Sequence, residues 1–103
     1  MTGTASQMEW AERIKHQVNG EFDRVAASFR SVAEKQIENK RADTETIIGI
    51  LEDKRAEVMG RDQAGYFIQE WQEIHDQVRR LISADARYEA IKVRAQVQSR
   101  KKI

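Results

Sequence analysis

The chain has 103 residues, a formal net charge of +1, and neither cysteine nor proline. This length fits one folded domain, so residues 1–103 are predicted to form a single helical-bundle domain. The absence of cysteine excludes disulfides, thiolate zinc sites and cysteine nucleophiles. The near balance of 18 basic and 17 acidic residues argues against strong non-specific binding of nucleic acid.

The first ten residues, MTGTASQMEW, have neither the basic start nor the apolar stretch of a secretory signal. No apolar run approaches the roughly 18 residues needed to cross a membrane. We therefore expect a cytoplasmic protein without membrane contact, and the absence of cysteine also favours that location. Residues 1–5 and 99–103 are predicted to be disordered, because chain ends rarely have enough packing partners.

The first predicted helix spans about 6–40 and carries an apolar row at heptad spacing. The members of this row are Val18, Phe22, Val25, Phe29 and Val32. Ser6 and Glu9 have the spacing of a capping box at the start of this helix. The pair Asn19–Gly20 favours a turn, but the row keeps its phase across the pair. We therefore expect a continuous helix with a weak point at Gly20.

Two further helices are predicted after a turn between Lys40 and Thr44. Asp43 or Thr44 would cap a short second helix over about 44–59. A third helix, capped by Asp62, is predicted over about 62–98. Its apolar row contains Phe67, Trp71, Ile74, Val78 and Leu81. Ser83 would suit a break, but the helical period continues beyond it, so one long helix is predicted.

These elements predict an all-α fold, an antiparallel up-down-up bundle of two long helices and a shorter one. At 1.5 Å per residue, the long helices would each span about 50 Å and the short one about 24 Å. The short helix leaves half of each long helix uncovered, unless the long helices bend or another chain covers them. We expect a homodimer or another protein partner, because symmetric pairing commonly covers such a face.

Aromatic residues are the candidate interface residues, because tryptophan and tyrosine dominate the binding energy of many protein interfaces. The candidates are Trp10, Tyr66, Trp71 and Tyr88. Trp71 also belongs to the apolar row of the third helix, which favours a place in the core. No nucleophile motif accompanies the two histidines, and no glycine-rich loop suits a phosphate. The leading hypothesis is a non-enzymatic helical interaction or oligomerisation protein that needs no cofactor.

A divalent-metal site is the first alternative. Glu9 and Glu12 lie near the start of the first predicted helix, and Glu70 and Glu73 lie near the start of the third. An up-down-up bundle would bring these two ends together, and carboxylate oxygens are the ligands that Mg²⁺ and Mn²⁺ prefer. Acidic residues are also common in the first turns of helices because they complement the helix dipole.

A nucleic-acid accessory role is the second alternative. Residues 53–103 carry eleven basic and eight acidic residues, a balance of +3. The residues best placed to contact phosphates are Arg94, Arg100, Lys101 and Lys102. However, basic residues also gather at helix C-termini for dipole reasons, and Tyr88 is the one aromatic nearby that could stack on a base.

Overall fold

The computed structural model describes residues 2–100, with side chains described for residues 2–94. These residues form five helices: α1 (Ala5–Glu34), α2 (Glu38–Met59), α3 (Ala64–Glu70), α4 (Ile74–Ser83) and α5 (Ala86–Arg100). The all-α prediction is therefore confirmed for this part of the chain. None of these five helices combines the length and the apolar character that crossing a membrane requires.

Helix α1 begins before Ser6 and continues through Gly20 without a break. Its N-cap is Thr4, whose hydroxyl accepts a hydrogen bond from the backbone N–H of Gln7 (3.2 Å). The Gln7 side chain accepts one from the backbone N–H of Thr4 in return (3.0 Å). The capping box predicted at Ser6 and Glu9 is therefore wrong: the box lies two residues earlier and satisfies the N–H groups of Thr4 and Gln7. The expected continuity at Gly20 is confirmed.

The first turn lies at residues 35–37, so the predicted turn at 40–44 and the predicted end of the first helix at residue 40 are both wrong. Helix α1 ends at Glu34, and residues 40–44 belong to α2, which starts earlier than the predicted 44. The buried Thr44 donates a hydrogen bond to the Gln36 side chain (2.5 Å), and Asp43 forms an ion pair with Arg94. Side chains that resemble a turn signal thus have tertiary partners that hold them within a helix.

The single helix predicted over 62–98 is divided into α3, α4 and α5. The first break follows Glu70, where the Gln77 side chain donates to the Glu70 carbonyl and accepts from the Glu73 backbone N–H (2.8 Å). Trp71 lies at this break and is 5% exposed, with its ring centroid 6.3 Å from that of Phe22. These contacts satisfy the backbone groups that the break frees, although the sequence there contains no glycine or proline.

The second break lies at Ala84–Asp85, directly after Ser83, the residue that would have suited a break. The Asp85 carboxylate accepts a hydrogen bond from the Arg87 backbone N–H (2.8 Å), which caps the start of α5. Ser83 is the last residue of α4, and its hydroxyl donates to the Arg79 carbonyl instead (3.0 Å). Asp62 does not cap α3 either, because Gln63 is the N-cap residue and makes no side-chain capping bond.

The structure describes residue 2 onwards at the N-terminal end and the backbone to residue 100 at the C-terminal end. The Thr2 N–H donates to the Asp62 carbonyl (2.7 Å), and the Ala64 N–H donates to the Thr2 carbonyl (2.9 Å). These bonds join residue 2 to the start of α3, and the disorder predicted for residues 1–5 stays a prediction. The backbone of α5 continues to Arg100, and residues 101–103 lie outside the described part of the chain.

A continuous apolar core joins α1, α2, α3 and α4. Its largest fully buried side chains are Val18, Phe22, Ile50, Leu51, Phe67 and Val78. Helix α1 contacts α2, α3 and α4, whereas α5 contacts α2 and α4. Among the described residues, no Cα atom of α5 lies within 8 Å of one in α1. The gap between these two helices positions the candidate site.

Candidate functional site

An open groove of about 360 Å³ lies where α5 turns away from α1, and we call it the α1–α5 groove. Its apolar lining comes from α1, α4 and α5 and consists of Val25, Phe29, Ile82 and Tyr88. Its polar lining consists of Arg24, Ser28, Arg79 and Ser83. None of these lining residues is acidic, so the groove combines an apolar floor with two cations.

The apolar row of α1 leaves the core at this groove. Val25 is 7% exposed, whereas Val32, two helical turns further on, is 49% exposed. Phe29 lies between them on the same face and is half-buried. The C-terminal part of α1 therefore keeps the apolar pattern of a buried helix but lacks a helix that covers it.

Helix α5 packs along α2 and not along this face of α1, and ion pairs join α5 to α2. Arg87 contacts Asp53 (2.7 Å), and Arg94 contacts Asp43. Asp85, at the start of α5, lies 3.4 Å from the ammonium group of Lys54. These contacts place the first two turns of α5 along α2, and the side of α1 that carries Val32 stays open.

A buried carboxylate fixes one of the two arginines at the edge of the groove. The Glu21 side chain is 4% exposed and accepts hydrogen bonds from Arg24 Nε (2.9 Å and 3.1 Å). It also lies 2.8 Å from Nδ1 of His75, which belongs to α4. The Arg24 guanidinium holds the pKa of the Glu21 carboxyl below its ordinary value of 4.5, although burial acts in the opposite direction. Glu21 therefore stays ionised at neutral pH and orients Arg24.

The positive charges of Arg79 and Lys92 at the groove are less neutralised by acidic side chains than that of Arg24. Arg79 forms no ion pair with any side chain that the structure describes. The Lys92 ammonium lies 5.8 Å from the ring centroid of Tyr88 and 4.0 Å from the Glu89 carboxylate. An exposed pair at 4.0 Å is weak. The edge of the groove is thus positive in net charge.

The four candidate interface aromatics lie in different environments. Tyr88 lines the groove, and Trp10 is 52% exposed near the other end of α1. Tyr66 is half-buried, with its ring edge-on to Phe67 and its face covered by the Arg61 guanidinium. Trp71 is buried in the core, as its place in the apolar row favoured, so it offers no exposed surface to a partner.

The four glutamates of the metal alternative are not brought together. Glu9 and Glu12 lie on the outer surface of α1, in a shallow depression with Arg13. The chain turns at Trp71, and Glu73 beyond it forms an ion pair with Arg80 (2.9 Å). Glu70 borders a different depression, beside Tyr66. Among residues 2–94, no three His, Asp or Glu side chains are grouped so that they could hold a metal ion.

The basic residues of the nucleic-acid alternative are described only in part. Arg94 forms an ion pair with Asp43, which neutralises the charge that would contact a phosphate. The side chains of Arg100, Lys101 and Lys102 lie outside the part that the structure describes. Several basic residues form no ion pair with the described side chains, and of these Arg79 is the one that lines the groove.

Sequence reasoning missed both the groove and the Glu21 cluster. The signal for Glu21 was present, because it lies three residues after Val18 and four before Val25, on the buried side of α1. The groove had no local signal, since it depends on where α5 packs. Comparisons with known proteins identify no relatives: no protein family, curated protein or solved structure matches this chain.

Proposed function

We propose that this chain is a non-enzymatic helical interaction protein that binds another polypeptide through the α1–α5 groove. The observation that carries the proposal is the apolar row of α1, which runs from the buried Val25 to Val32, 49% exposed. Exposed apolar surface beside a groove is typical of protein interaction sites. A helix laid against Phe29 and Tyr88 in the groove, and against Val32, one helical turn beyond Phe29 and outside the groove lining, would complete the burial that α5 leaves unfinished.

The proposal includes an antiparallel up-down-up bundle as the frame of this groove. Asp23 contacts Arg55 (2.5 Å), and Arg30 contacts Glu52 (3.4 Å), so later positions of α1 lie beside earlier positions of α2. The backbone bonds of Thr2 place the start of α3 beside the start of α1. These contacts support two antiparallel helices with a third segment beside them. The absence of cysteine supports the cytoplasmic location that goes with this proposal.

A homodimer remains part of the proposal, and its two candidate contacts are the exposed apolar surface of α1 and the half-exposed Trp10. Sedimentation velocity at tens of micromolar tests it. We expect a species larger than the 12.0 kDa chain, and Val32→Lys should return it to that mass if the exposed end of the α1 apolar row, next to the groove, is the contact. Ala27→Lys, at an exposed position outside the groove lining, is the matched control.

The outcomes of this experiment separate the parts of the proposal. A wild-type chain that stays monomeric removes the dimer and leaves a different protein as the partner. A dimer that survives Val32→Lys but is lost on Trp10→Ser would place the contact at the exposed Trp10, away from the groove. A dimer insensitive to both variants would remove the exposed apolar surface of α1 as the contact.

A further inference from the structure

We propose that the occupant of the α1–α5 groove is an amphipathic helix with an acidic flank, supplied by a different protein. This inference rests on the proposed function and adds the chemistry of the partner. It is drawn from the charges at the groove, where Arg24 and Arg79 flank an apolar floor and no lining residue is acidic. Complementary charge determines which partner an apolar groove accepts.

Arg79 is the residue best placed to receive a carboxylate. It lines the groove from α4 and forms no ion pair with the described side chains, so its guanidinium is available. Arginine binds carboxylates through two parallel hydrogen bonds, which adds orientation to attraction. Arg24 contributes less net charge because Glu21 pairs with it, but that pairing fixes the position of its guanidinium. A carboxylate on the partner would therefore find one free cation and one oriented cation.

The same charges argue against a second copy as the occupant. In a twofold dimer the same surface of both chains meets, so two grooves facing each other would bring the positive edges together. Arg24 and Arg79 of each chain would then lie near those of the other, and opposed like charges disfavour association. A homodimer of this chain would use other surface, such as that around the half-exposed Trp10.

The shape of the groove favours a helix as the bound element. Its walls are helices, and the α1 row from the buried Val25 through the half-buried Phe29 to the exposed Val32 covers about 10 Å, or two turns, at 1.5 Å per residue. Partner side chains spaced by three and four residues would match that row over the same two turns. We therefore expect apolar residues at positions i, i+3, i+4 and i+7 of the partner, with Asp or Glu on the side that faces Arg79.

Binding of designed helical peptides to the full chain tests this inference. The probe is a rhodamine-labelled amphipathic peptide with leucines at those four positions and glutamates on both flanks. The comparison peptides carry lysine in place of glutamate, or the same residues in scrambled order. We expect a saturable rise in fluorescence anisotropy with the acidic peptide alone, and an affinity that falls as salt rises.

Two pairs of variants locate the bound peptide, with circular dichroism confirming that each chain is folded. Arg79→Glu should weaken binding of the acidic peptide by about fivefold or more and should favour the lysine peptide. Arg13→Glu changes the net charge equally at an exposed position outside the groove lining, and should change the affinity by less than about twofold. Ser28→Trp should block the groove, whereas Ala27→Trp, its neighbour outside the lining, should not.

Each result either supports the inference or overturns it. Equal binding of the acidic and lysine peptides would overturn the acidic partner, and so would binding unchanged by Arg79→Glu. In either case, loss of peptide binding on Ser28→Trp would still support the proposed function. No binding of any peptide, together with a dimer lost on Val32→Lys, would show that the groove pairs two copies. No binding and no dimer would remove both the inference and the proposed function.

Discussion

Glu21 is a charged residue on the buried side of α1, and its surroundings explain how it is tolerated. Its side chain is 4% exposed, whereas its partners Arg24 and His75 lie at the surface. A carboxylate that accepts several hydrogen bonds from cations keeps its charge despite burial. Glu21 therefore joins α1 to α4 and fixes Arg24 at the edge of the groove.

Replacing Glu21 by glutamine should lower the free energy of unfolding by about 1 kcal/mol at neutral pH, because the charged hydrogen bonds are lost while the shape is kept. The folded-state pKa of Glu21 lies below 4.5, so its stabilisation is complete above pH 4.5 and is lost as the pH falls through the lowered pKa. Urea unfolding of both proteins across the acid range measures this difference.

The matched control for that experiment is Glu9→Gln, which removes an exposed carboxylate that forms no ion pair with the described residues. It should leave the free energy of unfolding nearly unchanged at neutral pH. A difference between wild type and Glu21→Gln that stayed constant on acidification would show that the charge of Glu21 contributes nothing, and packing of the side chain would then be the cause.

At the scale of single elements, α1 stays helical at Gly20, although glycine disfavours helix, because residues on both sides of it are buried. Gly20 is exposed, and a Cβ atom added there would meet no atom within 4 Å. Val18 and Phe22 flank it and are both fully buried. Burial of two large side chains contributes more free energy than a helical glycine costs, so the helix continues.

Gly20→Ala should therefore raise the free energy of unfolding by about 0.5–1 kcal/mol, because alanine restricts the unfolded chain and favours helix. Urea unfolding at neutral pH is the measurement. Gly60→Ala is the control that should not stabilise, since its Cβ would lie 3.2 Å from the Ala56 carbonyl oxygen at the end of α2. A loss of stability in Gly20→Ala would mean that the helix is not continuous there.

Asp85 combines two roles at the start of α5, and two substitutions separate them. Asp85→Asn should keep the capping bond to the Arg87 N–H but lose the ion pairs with Arg87 and Lys54. Asp85→Ala should lose both, lower Tm by several degrees and reduce the helical circular dichroism signal. Asparagine should fall between wild type and alanine. Equal effects of the two variants would show that the cap contributes nothing.

The bounds of the helices were less predictable than their existence. The apolar row of α1 predicted one helix correctly, and the row over residues 67–81 predicted helical structure on both sides of a break that it did not show, because periodic burial is a property of neighbouring positions. The breaks after Glu70 and at Ala84–Asp85 were both missed: the first has no sequence signal, and the signal at Ser83 was outweighed by the helical period that continues beyond it. They depend on Gln77, which bonds to the backbone on both sides of a break, and on Asp85, which contacts Lys54 in another helix.

At the scale of the whole molecule, the chain is elongated, with extents of 60 × 23 × 19 Å. The helices do not have the mismatched lengths that were predicted. Helix α2 is longer than expected, residues 64–100 form three helices, and α5 packs away from α1. The sequence offers two possible break points, Gly20 and Ser83. The chain breaks beside Ser83 and continues as a helix through Gly20. The departure of α5 from α1 leaves the groove open.

The candidate site illustrates the limit of prediction. Tyr88 was a candidate interface residue from the sequence and does line the groove, but Arg24, Arg79 and Phe29 were not selected. Their proximity requires α1, α4 and α5 to meet, and no sequence spacing specifies that meeting. The four glutamates show the converse, because sequence spacing allowed a cluster that the described residues do not form.

Composition and apolar periodicity by themselves determined that this protein is helical and that its helices bury one face each, because both follow from residues close together in the chain. Only the tertiary structure decided where the helices end, which carboxylate is buried and which face of α1 stays open. The reason is that contacts between distant positions set these features, as between Asp43 and Arg94, 51 residues apart.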